Sequence, residues 1–215
     1  RQYSKKSGLL SHSVHHILED RESNIWISQA GGLSRLPHNF MAFGHYTHRS
    51  HAGNTPALPD PAVRNIVIPQ KGIAAQWIGT DEGLVAIGHD GKSAVIGNPK
   101  HKLDQQIMAL CSTPQGTLWG STPNTVFRIS SDTSTPTDTT QFLSVLGETH
   151  QLTTFPRNRV SACITQPLNT DSSQRDGLWF SGQDRLFLFF NQRWFSFGKN
   201  SGLPASRLYD LSLDS

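Results

Sequence analysis

Long apolar runs are missing from this sequence: no stretch reaches the ~18–20 consecutive apolar residues that a membrane-spanning helix needs. No secretory leader is visible, because the first residues are polar and the chain opens on Arg1 rather than Met. That opening suggests a piece of something longer. Charge is scarce too: only 16% of residues are charged, the net charge is +3, and the basic residues are scattered. Such a field is too weak to argue for nucleic acid. There is no glycine-rich phosphate loop, since Gly31-Gly32 and Gly72 read as turn glycines, and no Gly-x-Ser-x-Gly elbow. Nothing in the sequence asks for a cofactor.

What is plentiful is repetition. Gly8-Leu9-Leu10-Ser11 leads to Val14-His15-His16-Ile17-Leu18-Glu19-Asp20, then to Asn24-Ile25-Trp26-Ile27-Ser28 and Gly32-Leu33-Ser34-Arg35-Leu36. The tryptophan phrase returns around Trp77, Trp119 and Trp179, in steps of 51 (26 to 77), 42 (77 to 119) and 60 (119 to 179). Several short apolar runs per unit, at a period near fifty, are the signature of propeller blades, none of which can bury both its faces alone. The expected fold is therefore all-β: a β-propeller of four-stranded antiparallel blades at about 8–43, 62–96, 106–146 and 159–197, plus a partial fifth at 202–215 that repeats the Gly8 phrase and the first strand.

In the first blade the expected strands are Val14–Glu19, Ile25–Ser28, Leu33–Leu36 and Phe40–Phe43. The stretches 45–61, 130–140 and 168–175 read as inserts of the surface-loop kind. Four blades and an orphan strand leave edges uncovered, which propellers avoid by closure. The expected partners are thus the remaining blades of a parent protein, or a second copy in a homodimer.

The repeated tryptophans read as packing between blades, and Asp20 reads as a cap on its own turn. Glu19-Asp20 has no facing carboxylate that would make it a catalytic pair. His45, His48 and His51 share a metal-like spacing, but a solvated loop is the better account and no metal site is expected. The two cysteines, Cys111 and Cys163, fall one position apart on equivalent strands of neighbouring blades. Because side chains alternate along a strand, they are expected to point to opposite faces and to stay unpaired as small apolar residues. On that reading they leave the redox compartment open.

A binding site is easier to place. Innermost strands line a propeller's central channel, and the residues entering them form its mouth. Those positions read His12, Ser13 and His15, then Arg64, then Gln105 and Gln106, then Arg157, Asn158 and Arg159, then Arg207 and Tyr209. With several guanidiniums among them, they suit a small anionic or carbohydrate-like ligand held by bidentate bonds. A polar, solvated mouth that binds nothing is the plain alternative.

Laid out in this way, the phrase resembles the two-component regulator propeller repeat. Gly8–Leu36 matches it almost throughout, the second unit keeps Trp77-Ile78-Gly79-Thr80 and Gly83-Leu84, and the fourth keeps Asp176-Gly177-Leu178-Trp179. The third unit departs, with Ser112-Thr113 for the acidic pair and Asn124-Thr125 for the Gly-Leu pair. What the resemblance implies is a non-catalytic sensor, the periplasmic input region of an inner-membrane protein. Its output, a histidine kinase or a GGDEF-type diguanylate cyclase, would lie outside this chain. The alternatives are a propeller enzyme, such as a polysaccharide lyase or hydrolase working through His12, His15 and Tyr209, and a protein-interaction scaffold.

Overall fold

The computed structural model describes residues 3–39, 42–47, 58–71, 74–88, 93–96, 103–123, 126–129, 149–151, 160, 162–170, 173–191, 193–204 and 207–212. These form four antiparallel four-stranded sheets, each a meander in chain order: a β-propeller architecture. Blade 1 comprises β1 (Val14–Glu19), β2 (Ile25–Gln29), β3 (Gly32–Leu36) and β4 (Gly44–Tyr46). In blade 2 are β5 (Val63–Val67), β6 (Gln76–Thr80), β7 (Gly83–Ile87) and β8 (Ser93–Ile96). Blade 3 is built from β9 (Ala109–Ser112), β10 (Leu118–Ser121), β11 (Val126–Ile129) and β12 (Thr149–Gln151). Blade 4 contains β13 (Ala162–Thr170), β14 (Ser173–Ser181), β15 (Leu186–Phe190) and β16 (Arg193–Phe197). The inner strands touch in sequence, β1 on β5, β5 on β9 and β9 on β13.

Strand alternation gives each blade a forward face and a rear face, and the core consists of the joints between them. Trp26 and Leu33 on the forward face of blade 1 meet Val63, Ile66, Ile78 and Val85 of blade 2. Trp77, Leu84 and Ala86 then meet Ile107, Leu110 and Phe127 of blade 3. Trp119 and Val126 meet Leu178, Phe180 and Phe187 of blade 4. Trp26, Trp77 and Trp119 are all buried, as their recurrence requires. Arg35 and Arg128, each directly opposite its tryptophan across the strand pair, lie over the rings at 5.5 and 5.9 Å.

Several expectations are corrected. The outer strand of blade 1 is Gly44–Tyr46 rather than Phe40–Phe43. The register sets Tyr46 opposite Leu33, where its ring covers Trp26 at 5.6 Å, and His45 opposite Ser34. Blade 3 runs past Leu146 to Gln151, whose strand pairs with β11. The stretch 168–175 is not a plain loop: the β13–β14 ladder continues through Leu168↔Arg175 to Thr170↔Ser173. Residues 207–212, expected to begin a fifth inner strand, are not assigned to any strand.

Cys111 and Cys163 form a disulfide, 52 residues apart with Cα atoms 5.7 Å from each other, against the expectation of free thiols. The one-place offset is present: Cys111 sits opposite Trp119 whereas Cys163 sits opposite Phe180, one place beyond Trp179. Opposite faces keep two residues apart within one sheet. Between adjacent blades the forward face of one meets the rear face of the next, so the offset is what brings the two sulfurs together.

Candidate functional site

The inner strands are interrupted where they enter the channel. Val14 pairs with Gln29 and His16 with Ser28, leaving His15 as an extra residue; Val63 pairs with Thr80 and Asn65 with Gly79, leaving Arg64. Aligned on the tryptophans, His15, Arg64 and Met108 are equivalent positions, and aligned on the glycine phrase Tyr209 is a fourth. A β-bulge bends its strand and re-aims side chains, so that consecutive residues can share one side. Accordingly His15 and His16, Arg64 and Asn65, Met108, Ala162, and Tyr209 and Asp210 all line one central cavity of about 290 Å³. All four blades and the fifth-unit segment contribute to it, with Leu110 and Cys163 completing its apolar side.

Much of the polar lining is already engaged. Arg64 makes a two-pronged ion pair with Asp81 of the β6–β7 turn, Nε–Oδ1 2.7 Å and Nη2–Oδ2 2.8 Å. Gln106 Nε2 donates to the same carboxylate at 2.7 Å, tying the entry of blade 3 to blade 2. These bonds, Arg64 first, hold the Asp81 carboxyl below the usual carboxylate range against the opposing effect of burial. His15 Nδ1–H donates to the Val63 carbonyl at 2.7 Å; because a carbonyl only accepts, the ring proton lies there, and Nε2 faces the Ser13 hydroxyl at 3.4 Å. Asn65 Nδ2 donates to the Ile107 carbonyl at 3.1 Å. His16 keeps open surface yet lies within the concavity, where protein crowds it from several sides; that desolvation lowers its pKa, and the charge of Asp210 only partly opposes it.

Of the residues expected at the mouth, His15, Arg64 and Tyr209 line the cavity and Gln106 braces it through Asp81. His12, Ser13 and Arg207 are exposed and outside its lining, and Gln105 is half-buried. Arg157, Asn158 and Arg159 fall outside the described residues. His16, Asn65, Met108, Asp81 and Asp210 escaped the reading. The first two are masked by the bulges, which break the strict alternation used to choose cavity-facing residues. The Arg64 fork, expected to grip a ligand carboxylate, is taken by Asp81.

Elsewhere, a wider groove of about 530 Å³ lies between the Asp20–Glu22 turn and residues 68–71 and 74–76. Of the two carboxylate residues lining it, Asp20 and Glu22, Asp20 accepts from Trp26 Nε1 at 2.7 Å, from Asn24 Nδ2, and from the backbone of Glu22 and Asn24. Burial alone would raise the Asp20 pKa; these donors together bring it below the usual value. His45 lies on β4 with Nδ1 3.1 Å from Ser34 Oγ, while His48 and His51 fall outside the described residues. Among the described residues no three metal-ligating side chains cluster, and no helix is long and apolar enough to cross a membrane.

Four antiparallel blades around a shared polar cavity define the chain as a β-propeller. No protein-family model matches it, and no curated protein does. Its fold is similar to that of the extracellular domain of BT4673 from B. thetaiotaomicron, assigned to a one-component system (TM-score 0.66, 15% identity, covering 94% of this chain and 25% of that one). The extracellular domain of BT3049 from the same organism, assigned to a hybrid two-component system, is also similar (TM-score 0.57, 14% identity, 92% of this chain and 32% of that one). So is streptogramin B lyase (TM-score 0.56, 18% identity, 86% and 54%). The chain thus spans between a quarter and about half the length of these structures. At such identities the likeness is one of fold.

Proposed function

We propose that this propeller is a non-catalytic sensory domain that takes a small ligand in its central cavity. In this reading it is part of the periplasmic input region of a membrane-anchored signalling protein whose kinase or diguanylate cyclase lies outside this chain. The observation that carries the reading is the cavity itself: equivalent positions of successive units converge on it with polar groups over an apolar floor, the composition of a small-molecule site. The motif resemblance of the first unit and the fold shared with extracellular signalling domains support the signalling assignment. A disulfide between blades suits an oxidising compartment. Ligand binding would act by favouring one of two arrangements of the receptor, by as much as its affinities for the two differ.

The ligand class follows from the engaged Arg64. With its charge balanced by Asp81, hydroxyl-bearing ligands suit the described lining better than strongly anionic ones. Thermal melting in the presence of glucose, galacturonate or citrate tests the reading. A ligand present at about a hundred times its dissociation constant stabilises by about 2.7 kcal/mol, a shift of roughly 5–10 °C for a chain of this size. That shift should vanish in Asn65→Leu and Tyr209→Ala and persist in Lys199→Ala. A flat response across a broad panel of small polar molecules, or shifts indifferent to both cavity substitutions, would remove the cavity from the account.

The lyase likeness keeps an enzyme reading in view. Of the acid–base groups lining the cavity, His15 has its Nδ1 proton committed to Val63 and Asp81 is committed to Arg64 just outside, which leaves His16, Tyr209 and Asp210. Turnover abolished by His16→Gln would favour that reading.

A further inference from the structure

The Cys111–Cys163 disulfide joins blades 3 and 4 along their inner strands, β9 and β13. Its two cysteines have different surroundings. Cys111 is 7% exposed, part of the buried joint with Trp119, Val126, Leu178 and Phe180. Cys163 is half-buried and lines the central cavity, which Cys111 does not. A disulfide opens when a thiolate attacks one of its sulfurs, and access helps decide which one. Here the cavity offers Cys163 and the joint withholds Cys111.

The joint does not rest on the bond alone. Thr165 Oγ1 donates to the Ser112 carbonyl at 3.0 Å, from blade 4 to blade 3. Phe180 and Phe187 of blade 4 pack with Trp119 and Val126 of blade 3 in one buried cluster. The Trp119 carbonyl also stands 4.0 Å from Cys163 Sγ, where it can accept from the S–H that reduction creates. Opening the bond therefore leaves the two blades docked, and exchange can run in the folded chain.

We propose that Cys163 is a thiol–disulfide exchange site served by small-molecule thiols that enter through the central cavity. The incoming thiolate attacks Cys163 Sγ, forming a new S–S bond and breaking the bond to Cys111. The electron pair leaves on the Cys111 sulfur, which takes up a proton inside the joint. The mixed disulfide is then carried on Cys163, with its small substituent in the cavity. A second thiolate attacks the outer sulfur of that adduct, releasing Cys163 as a thiol and the two small thiols as their own disulfide. Two electrons pass from the thiols to the protein, and the reverse sequence restores the bond. A cavity of about 290 Å³ admits thiols of modest size and excludes a folded protein. Exchange needs only access to the cavity, and stands whether or not a polar ligand also binds there.

The attacked sulfur can be identified directly. Native wild-type protein is incubated with 2-mercaptoethanol, quenched in acid and mapped by peptide mass. The adduct should sit on Cys163, in roughly tenfold or greater excess over Cys111, because exchange follows access. Single-cysteine variants give the same comparison without the bond. The Cys163 thiol of Cys111→Ser should react with 2,2′-dithiodipyridine roughly tenfold or more faster than the Cys111 thiol of Cys163→Ser, and the two should match in urea. Met108→Trp, which fills the cavity from blade 3, should slow the wild-type exchange with an unchanged circular dichroism spectrum. Adducts shared equally between the cysteines, or carried mainly on Cys111, would overturn the proposal. So would exchange that begins only where urea unfolds the chain, or a Met108→Trp rate equal to that of wild type.

Discussion

Asp20 shows how much one side chain organises. Its two oxygens take a turn backbone, the Asn24 amide and the indole N–H of a tryptophan sealed between two blades. In blade 4 Gln166 does the indole's share from the inner strand, accepting from Trp179 Nε1 at 2.8 Å. Asp20→Ala would strand the Trp26 donor, and hydrogen bonds to charged acceptors are worth about 1.5–3 kcal/mol. A loss of about 2–3 kcal/mol is expected in urea denaturation, with Asp20→Asn less harmful because an amide oxygen still accepts. Acid should act in two stages. His16 and His45 have pKa values lowered by burial from 6.5, so the unfolded chain takes up protons first and stability falls as pH drops below 6.5. Asp20 and Asp81 are held below 3.8, so their contribution persists above that value and fades beneath it. Melting temperature followed against pH should show both stages, and His45→Gln should flatten the upper one.

Among the strands, those that bury large side chains could be read from the sequence, and those that do not could not. Trp26, Trp77 and Trp119 announce second strands because a mid-strand tryptophan between blades must be covered. β4 escaped because it is three residues long and reads Gly44-His45-Tyr46, with no apolar run to mark it. The cavity was half legible. Repeat equivalence leads to His15, Arg64 and Tyr209, whereas the bulges hide His16 and Asn65, and Asp81 comes from a turn that no periodicity marks. The disulfide is not legible from alternation, which orders side chains within one sheet, whereas the two sulfurs meet between sheets. Its expected weight is large. Closing a loop of 52 residues corresponds to about 4 kcal/mol on the chain-entropy account. Cys163→Ser, or thiol reduction of the wild type, should lower denaturation stability by up to that amount. Cys111→Ser with Cys163→Ser should cost little more than either alone, since the bond is lost once.

At the scale of the whole molecule, stability is distributed over joints, and the joints are not equal. Trp77 is 1% exposed, between two complete blades, and its replacement by Ala should cost about 3–5 kcal/mol, as for other buried aromatic truncations. Trp179 holds the same place in its repeat but is only half-buried, and it meets Phe197 of its own blade at 5.7 Å. Trp179→Ala should therefore cost well under half as much. Urea titrations of both variants separate the cases. A Trp77 penalty well above the Trp179 penalty marks the joints as unequal. Two equal penalties would mean that Trp179 is covered as fully as Trp77.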